Sequence, residues 1–364
     1  MWAAVRGEPA DRLPFATYNC HGFSWGSHPA CPQYAPILEA IRRTGAGMLC
    51  KLQAKRAGGM PAPQVARAVE GDQELTTETL ATPKGPLRRV LRNRRGQPAR
   101  CVEHYLKTDA DVESFLSLRP EPVRWEIDEL LAMAGEIGQA GVAYLDYPDP
   151  FGSVAGLFDQ EDFLIRIHTD PAPVMALIER AFRTTRDELH ALLEALSRPR
   201  PKVLFYTCGP EWATPPLMGP ELFARVVTPY QSPLVAMIHE HGFPASLHCH
   251  GRVRLVLPEI LKCRFDVLEP IEPPPQGDID LGELRLAVGD RMALMGYVQD
   301  QDFFTATPKQ MRDHVARIVA AVEPAAGARR YIATPTCTPF AFPPPPQYVA
   351  NYVAFLEAAA ELGA

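Results

Sequence analysis

Val203-Leu204-Phe205-Tyr206-Thr207-Cys208, a helical run from Pro220 to His241, and Ser246-Leu247-His248-Cys249-His250-Gly251 follow one another along the chain. The outer two pieces are short and mostly apolar, next to Gly-Pro or Gly-Phe-Pro turns, and read as strands; the piece between has helical spacing. In a strand, side chains alternate between faces, so His248 and His250 point one way and Cys249 the other. Two imidazoles on one side of a strand end, followed by a glycine where the backbone can turn, make half of a metal site, because neutral imidazole is a frequent zinc ligand. The alternative is that one histidine caps the following helix, read from Arg252 to Cys263, and the other is merely polar.

The same strand-helix alternation runs outward in both directions. Downstream come a strand Asp266 to Glu272 with glutamates at its far end, a helix Leu281 to Val288, a strand Ala293 to Tyr297, a helix Pro308 to Val322, a last strand Tyr331 to Cys337 and a closing helix Tyr348 to Leu362. Upstream lie helices Pro171 to Leu196 and Gln160 to Ile167, a strand Val142 to Tyr147, and helices Pro122 to Ala140 and Asp109 to Leu118. Nearer the start are a strand Gly47 to Leu52, a helix Ala35 to Arg43 and a first strand Arg12 to Tyr18, which opens into the loop Asn19 to Gly26. This predicts an α/β fold, a (β/α)8 TIM barrel in one domain spanning residues 1–364.

Glu74 to Lys107 breaks the rhythm. Leu75 to Leu80 alternates, Thr82-Pro83-Lys84-Gly85 is a turn, Leu87 to Leu91 alternates again and Cys101 to Leu106 is extended. An inserted β-hairpin or meander at or near the barrel mouth is expected. Its arginines Arg88, Arg89, Arg92, Arg94 and Arg95 read as a solvated edge that discourages strand-to-strand aggregation, or as a docking face for an acidic partner.

The 37 Lys+Arg against 43 Asp+Glu give a formal charge of -6, which argues against a nucleic-acid groove. No apolar run reaches transmembrane length, and Met1 to Arg6 lacks a signal peptide's apolar core, so a cytoplasmic protein is expected, with neither nucleic acid nor membrane as partner. Eight cysteines at wide, irregular intervals without CxxC fit reduced thiols.

A barrel places its chemistry where the strands end. The strand ends here offer His21, Asp146, Asp149, Tyr206, Glu211, His248, His250, Glu269, Glu272 and Cys337. Asp146, Tyr206, Glu211 and His21 are the candidate catalytic side chains. For His21 a plain loop residue is the alternative, and for Glu211 a helix cap or salt bridge. His248, His250 and Cys337 would give a metal two imidazoles and a thiolate with one position open, which suits catalytic rather than structural zinc. The other seven cysteines read as small apolar residues.

Thr82 to Leu87, Gly219-Pro220-Glu221-Leu222-Phe223, Pro244 to Gly251, Asp266-Val267-Leu268 and Met295-Gly296-Tyr297, in this order, resemble the uroporphyrinogen decarboxylase superfamily. Within it the chain is most similar to the cobamide-dependent methyltransferases, which move a methyl group between a corrinoid protein and a thiol. In that branch a His-x-Cys-Gly motif and a later cysteine hold zinc. By that resemblance His248 is the family histidine, His250 stands in the cysteine's place and Cys337 is the late cysteine, with Glu269 or Glu272 as a displaceable fourth ligand.

The departures carry chemical weight. Uroporphyrinogen decarboxylases have an early Arg-Gln-Ala-Gly-Arg stretch for the substrate's carboxylates, whereas here no arginine stands between Arg12 and Arg42. Zinc with two imidazoles and one thiolate also keeps a charge of about +1, so a Lewis-acid role on a methoxy oxygen gains ground beside thiol methylation. The resemblance therefore implies a zinc-dependent methyltransferase acting between a corrinoid protein and a thiol or methoxy compound. The corrinoid would come from a partner protein, since no segment reads as a corrinoid-binding domain. A uroporphyrinogen-decarboxylase-type lyase and a zinc hydrolase on the same barrel are the alternatives, and a homodimer stays open.

Overall fold

A computed structural model of the protein describes residues 1–23, 28–94, 99–322 and 330–364. Ser24, Trp25 and Gly26 of the first loop, and Arg95 of the arginine run, lie outside the described residues.

Among the described residues, eight parallel strands form one sheet in the order β1 (Ala16–Tyr18), β2 (Gly47–Leu52), β9 (Gly141–Asp146), β10 (Val203–Cys208), β11 (Ala245–His248), β12 (Val267–Ile271), β13 (Ala293–Val298) and β14 (Tyr331–Pro335). The ring closes through a bridge between Phe15 and Ala333, whose amide donates to the Pro14 carbonyl at 2.9 Å. The expected (β/α)8 barrel is therefore present. Its strands read as apolar runs because both faces are covered.

The inner face follows from strand parity. Ala16, Leu49, Val142, Leu204, Val267, Ala293 and Ile332 pack inside the ring, while their chain neighbours Met48, Ala143, Val203, Phe205 and Leu294 face the helices. Above that apolar layer, two residues further along each strand, stand Tyr18, Lys51, Tyr144, Tyr206, His248 and Glu269. Below it, a short helix Trp2–Arg6 puts Ala4 and Val5 against the same inner cluster and plugs the end opposite the mouth. Outside, helix Pro171–Leu196 starts with proline in its first turn and buries Val174, Leu177, Ile178, Leu189, Leu192, Leu193 and Leu196 at helical spacing. Each fully buried side chain of this kind contributes about 1.5–3 kcal/mol.

The insertion is larger than a hairpin. Four antiparallel strands, β4 (Gln64–Glu70), β5 (Gln73–Leu80), β6 (Leu87–Arg94) and β7 (Arg100–Glu103), form their own sheet, and β3 (Lys55–Gly59) pairs with β8 (Glu121–Glu126). Strand β8 corrects the expected helix from Pro122: the helix there is Asp128–Ile137, and the residues before it are held by the ladder to β3. The run Pro220 to His241 is likewise two helices, Pro220–Val226 and Thr228–Glu240, and the helix after the histidines is only Leu257–Cys263. Three arginines of β6 are paired, Arg88 with Glu103, Arg89 with Glu78 and Arg94 with Asp72, which fits a solvated edge. Among the described residues, no helix is long and apolar enough to cross a membrane.

Candidate active site at the barrel mouth

Register brings the mouth together. Asp146 is opposite Tyr206 across β9 and β10, Cys208 is opposite His248 across β10 and β11, and His248 is opposite Glu269 across β11 and β12. His248 Nδ1 lies 3.2 Å from Glu269 Oε1 and 3.2 Å from the Tyr18 hydroxyl. A carboxylate only accepts, so Nδ1 carries the hydrogen and Nε2 is left free to bind a ligand. Glu269 is fully buried, and its Oε2 has no hydrogen-bond partner. An orphan carboxylate oxygen in such a place is costly unless a cation or proton faces it.

His250 lies beyond the end of β11, so strand parity does not set its direction. Its ring stands 4.7 Å from that of His248, edge to face, and Nδ1 lies 3.2 Å from Glu272 Oε1. Burial pushes the His250 imidazole down, but the hydrogen bond and charge of Glu272, with Glu269 and Glu211 behind it, give a net rise. For Glu272 burial pushes up, and His250, the Gly251 amide and Gln299 together bring it below the usual carboxylate range.

Cys337 is two residues past the end of β14, in the loop, with its thiol on the Thr338 carbonyl. Burial pushes that thiol up to about 11, and the charges of Asp300 and Glu272 add to it. Among the described residues, two groups of His, Cys, Asp or Glu have three ligand atoms within 4.8 Å of one another, and one of them is Cys208, Glu211 and His248 at the mouth. Neither group contains His250, Cys337 or Glu269. The structure thus gathers His248 with Cys208 and Glu211 within that distance. Sequence reasoning passed over Cys208 as a small apolar residue, although it has the parity of Leu204 and Tyr206 and therefore faces the mouth.

Glu211 is held by its own loop, accepting from the Gly209 amide at 2.7 Å and from the Cys208 thiol at 3.2 Å. That loop sits tightly on the loop after β9. Gly209 has φ 142, and a Cβ there would lie 2.8 Å from Asp149 Oδ2 and 3.0 Å from the Gly152 Cα. Asp149 caps the helix Pro150–Ala155 through the Gly152 amide and also accepts from Gln231 Nε2 at 2.5 Å. It is a structural residue. Burial raises the Asp149 carboxyl to about 7, opposed mainly by the Gly152 and Gln231 hydrogen bonds. A carboxyl raised on folding stabilises the fold fully below its unfolded value, near 3.9, and that contribution is lost as pH climbs through the folded value. The Asp149 contribution should therefore decline between about pH 4 and pH 7, and the stability difference between wild type and Asp149→Asn in urea melts should shift by that amount across the range.

On the other side of the mouth Lys51 Nζ bonds Asp146 Oδ2 at 2.8 Å and sits 5.0 Å over the Tyr206 ring. Burial raises the Asp146 carboxyl, Lys51 opposes the rise, and Oδ1 is buried with no partner. Tyr206 stacks on Tyr144 at 5.1 Å and meets the His248 ring at 5.5 Å. Burial, then the Glu269 charge, keeps the Tyr206 phenol protonated. Asp146, Tyr206 and Glu211 thus stand around His248. His21, by contrast, packs among rings, 5.4 Å from Phe23 and 6.5 Å from His28, and burial lowers its imidazole to about 4. It is neutral at neutral pH.

Residues 150–362 match the family model described as uroporphyrinogen decarboxylase (URO-D). No curated protein matches the chain. Among solved structures, a methyltransferase from Methanosarcina mazei is similar over 99% of this chain and 96% of its own, with a TM-score of 0.60 at 15% sequence identity. A B12-independent methionine synthase from Shewanella sp. W3-18-1 covers 68% of this chain and 71% of its own at 14% identity, but its TM-score of 0.42 carries no argument. At such identity the first likeness speaks for the fold alone.

Proposed function

Because the chain belongs to the uroporphyrinogen decarboxylase family, we propose that it is an enzyme that moves a methyl group between a corrinoid carried by a partner protein and a thiol or methoxy compound, using zinc at the barrel mouth. The observation that carries this reading is the convergence of a thiol, a carboxylate and an imidazole, from Cys208, Glu211 and His248, within 4.8 Å. Sulfur, nitrogen and oxygen donors with a position left over suit a catalytic zinc. The orphan Oε2 of buried Glu269, next to His248, fits a cation nearby. Zinc held there would supply positive charge that favours a thiolate or polarises an ether oxygen.

The chain's own residues do the rest. Glu269 and Tyr18 fix the ring of His248 through Nδ1, so that Nε2 is presented in one orientation. The Gly209 amide does the same for Glu211. Asp146, with its carboxyl raised by burial and Lys51 beside it, is placed next to His248 to take up the proton of an incoming thiol. Lys51 holds Oδ2 of Asp146 and so limits how far the carboxyl rises.

The decarboxylase reading has weaker support. A porphyrinogen bearing many carboxylates needs several cations, and Lys51 at this mouth is already bonded to Asp146.

The test is methyl transfer to cob(I)alamin from a panel of methylated thiols and methoxy compounds, with zinc-loaded protein. Turnover with at least one donor is expected, and Asp146→Asn should lower it about 10- to 100-fold while shifting the melting temperature little. Zinc-loaded protein that transfers no methyl group from any donor, yet decarboxylates a porphyrinogen, would overturn the proposal.

A further inference from the structure

We propose that His190, Glu194 and His241 form a second divalent-metal site, of the zinc class, at the end of the barrel opposite the mouth. His190 and Glu194 are one turn apart on helix Pro171–Leu196, which leads into the start of β10. His241 follows the last turn of helix Thr228–Glu240, which leads into the start of β11. Strands β10 and β11 carry Cys208 and His248 at their far ends, so this cluster is separate from the mouth.

One ligand atom from each of the three residues lies within 4.8 Å of the other two. With zinc bonds of 2.0–2.1 Å, a tetrahedral ligand pair is separated by about 3.4 Å. The His241 Nε2 to Glu194 Oε1 distance of 3.1 Å is already close to such an edge. His241 Nδ1 lies 2.9 Å from the Met237 carbonyl. A carbonyl only accepts, so Nδ1 keeps the hydrogen and Nε2, turned to Glu194, is the nitrogen that would bind metal. A backbone carbonyl fixing the ring in this way is the usual outer support of a metal-bound histidine.

His190 supplies the third donor. Its ring stands 6.0 Å from that of His241 at 71°, and it makes no hydrogen bond to a described residue. Its exposed side chain can turn onto a bound ion at little cost, and solvent can fill the remaining position. Two imidazoles and one carboxylate with an open position form a donor set that zinc accepts. A metal here would tie together the ends of two helices.

Without metal, the same atoms make a His241–Glu194 pair. The Met237 carbonyl and then Glu194 raise the His241 imidazole, with burial opposing and Glu240 adding to the rise. Arg200 faces it from the neighbouring loop, donating to the His241 carbonyl at 3.2 Å. Protons therefore compete with the metal, and binding should weaken as pH falls.

The experiment is a zinc titration of the full chain, stripped with chelator, against a chromophoric competitor at pH 8 and pH 6. Two binding events are expected for the wild type. His190→Ala and Glu194→Gln should each weaken one event at least tenfold and leave methyl transfer unchanged, and Cys208→Ser should weaken only the other. Both surface residues are exposed, so the variants should fold. Identical zinc isotherms for wild type and His190→Ala, or loss of both events in Cys208→Ser, would overturn the proposal.

Discussion

Cys208→Ser should weaken zinc retention at the mouth more than 100-fold and remove methyl transfer with it, while the barrel still melts within a few degrees of wild type. Support residues around metal ligands are typically worth 10–100-fold in affinity, and a ligand itself is worth more. The thiol is exposed on the mouth face and bonds only Glu211, so its loss leaves no hole in the core. Two other cysteines make the comparison decisive. Cys249 follows the last residue of β11 but faces the helices, 1% exposed in the outer apolar cluster. Cys249→Ser should keep the metal and lose about 1–3 kcal/mol of stability for burying a hydroxyl. Cys337→Ser should change little, because that thiol lies in a loop beyond its strand. Dialysis against a graded chelator, followed by elemental analysis, reads all three. Metal lost from Cys337→Ser but kept by Cys208→Ser would restore the ligand set expected from the sequence.

Gly209→Ala should destabilise the barrel and lower turnover together. At φ 142 a side chain is strained by about 1–3 kcal/mol. The new Cβ would also press on Asp149 and on the Gly152 backbone, where overpacking costs a further 1–3 kcal/mol or so. The sum corresponds to a fall of roughly 3–8 °C in melting temperature. Turnover should fall as well, since the same glycine's amide holds Glu211. A variant that melts within 2 °C or so of wild type would show that the two loops can separate freely, against the strain argument.

The barrel was legible because its strands are apolar on both faces, and a run such as Val203 to Cys208 has few other places to go. Strand β8 was not, since Pro122 looks like the first residue of a helix, and its partner Lys55–Gly59 is remote in sequence. Strand β4 is exposed at all seven positions, so its Gln-Val-Ala-Arg-Ala-Val-Glu carries no apolar face to read; the ladder to β5 alone makes it extended. At the mouth, Asp146 and Tyr206 were picked out by their place at strand ends and His248 by alternation; alternation counted along Val203 to Cys208 as well would have reached Cys208. What alternation cannot reach is a residue beyond the pleat. His250 and Cys337 both lie past the last hydrogen-bonded residue of their strands, and each loop, not the strand, decides where they go.

The bridge between Phe15 and Ala333 has a consequence for how the protein is made. A ribosome delivers β1 long before its closing neighbour β14, so the ring stays an open sheet until that strand is made. Until Tyr331–Pro335 emerges, β1 has one bare edge, and Ala4 and Val5 have no complete ring to fill. Nascent chains halted before that strand should expose this edge and the apolar interior to chaperones, and release past it should bury both in one step.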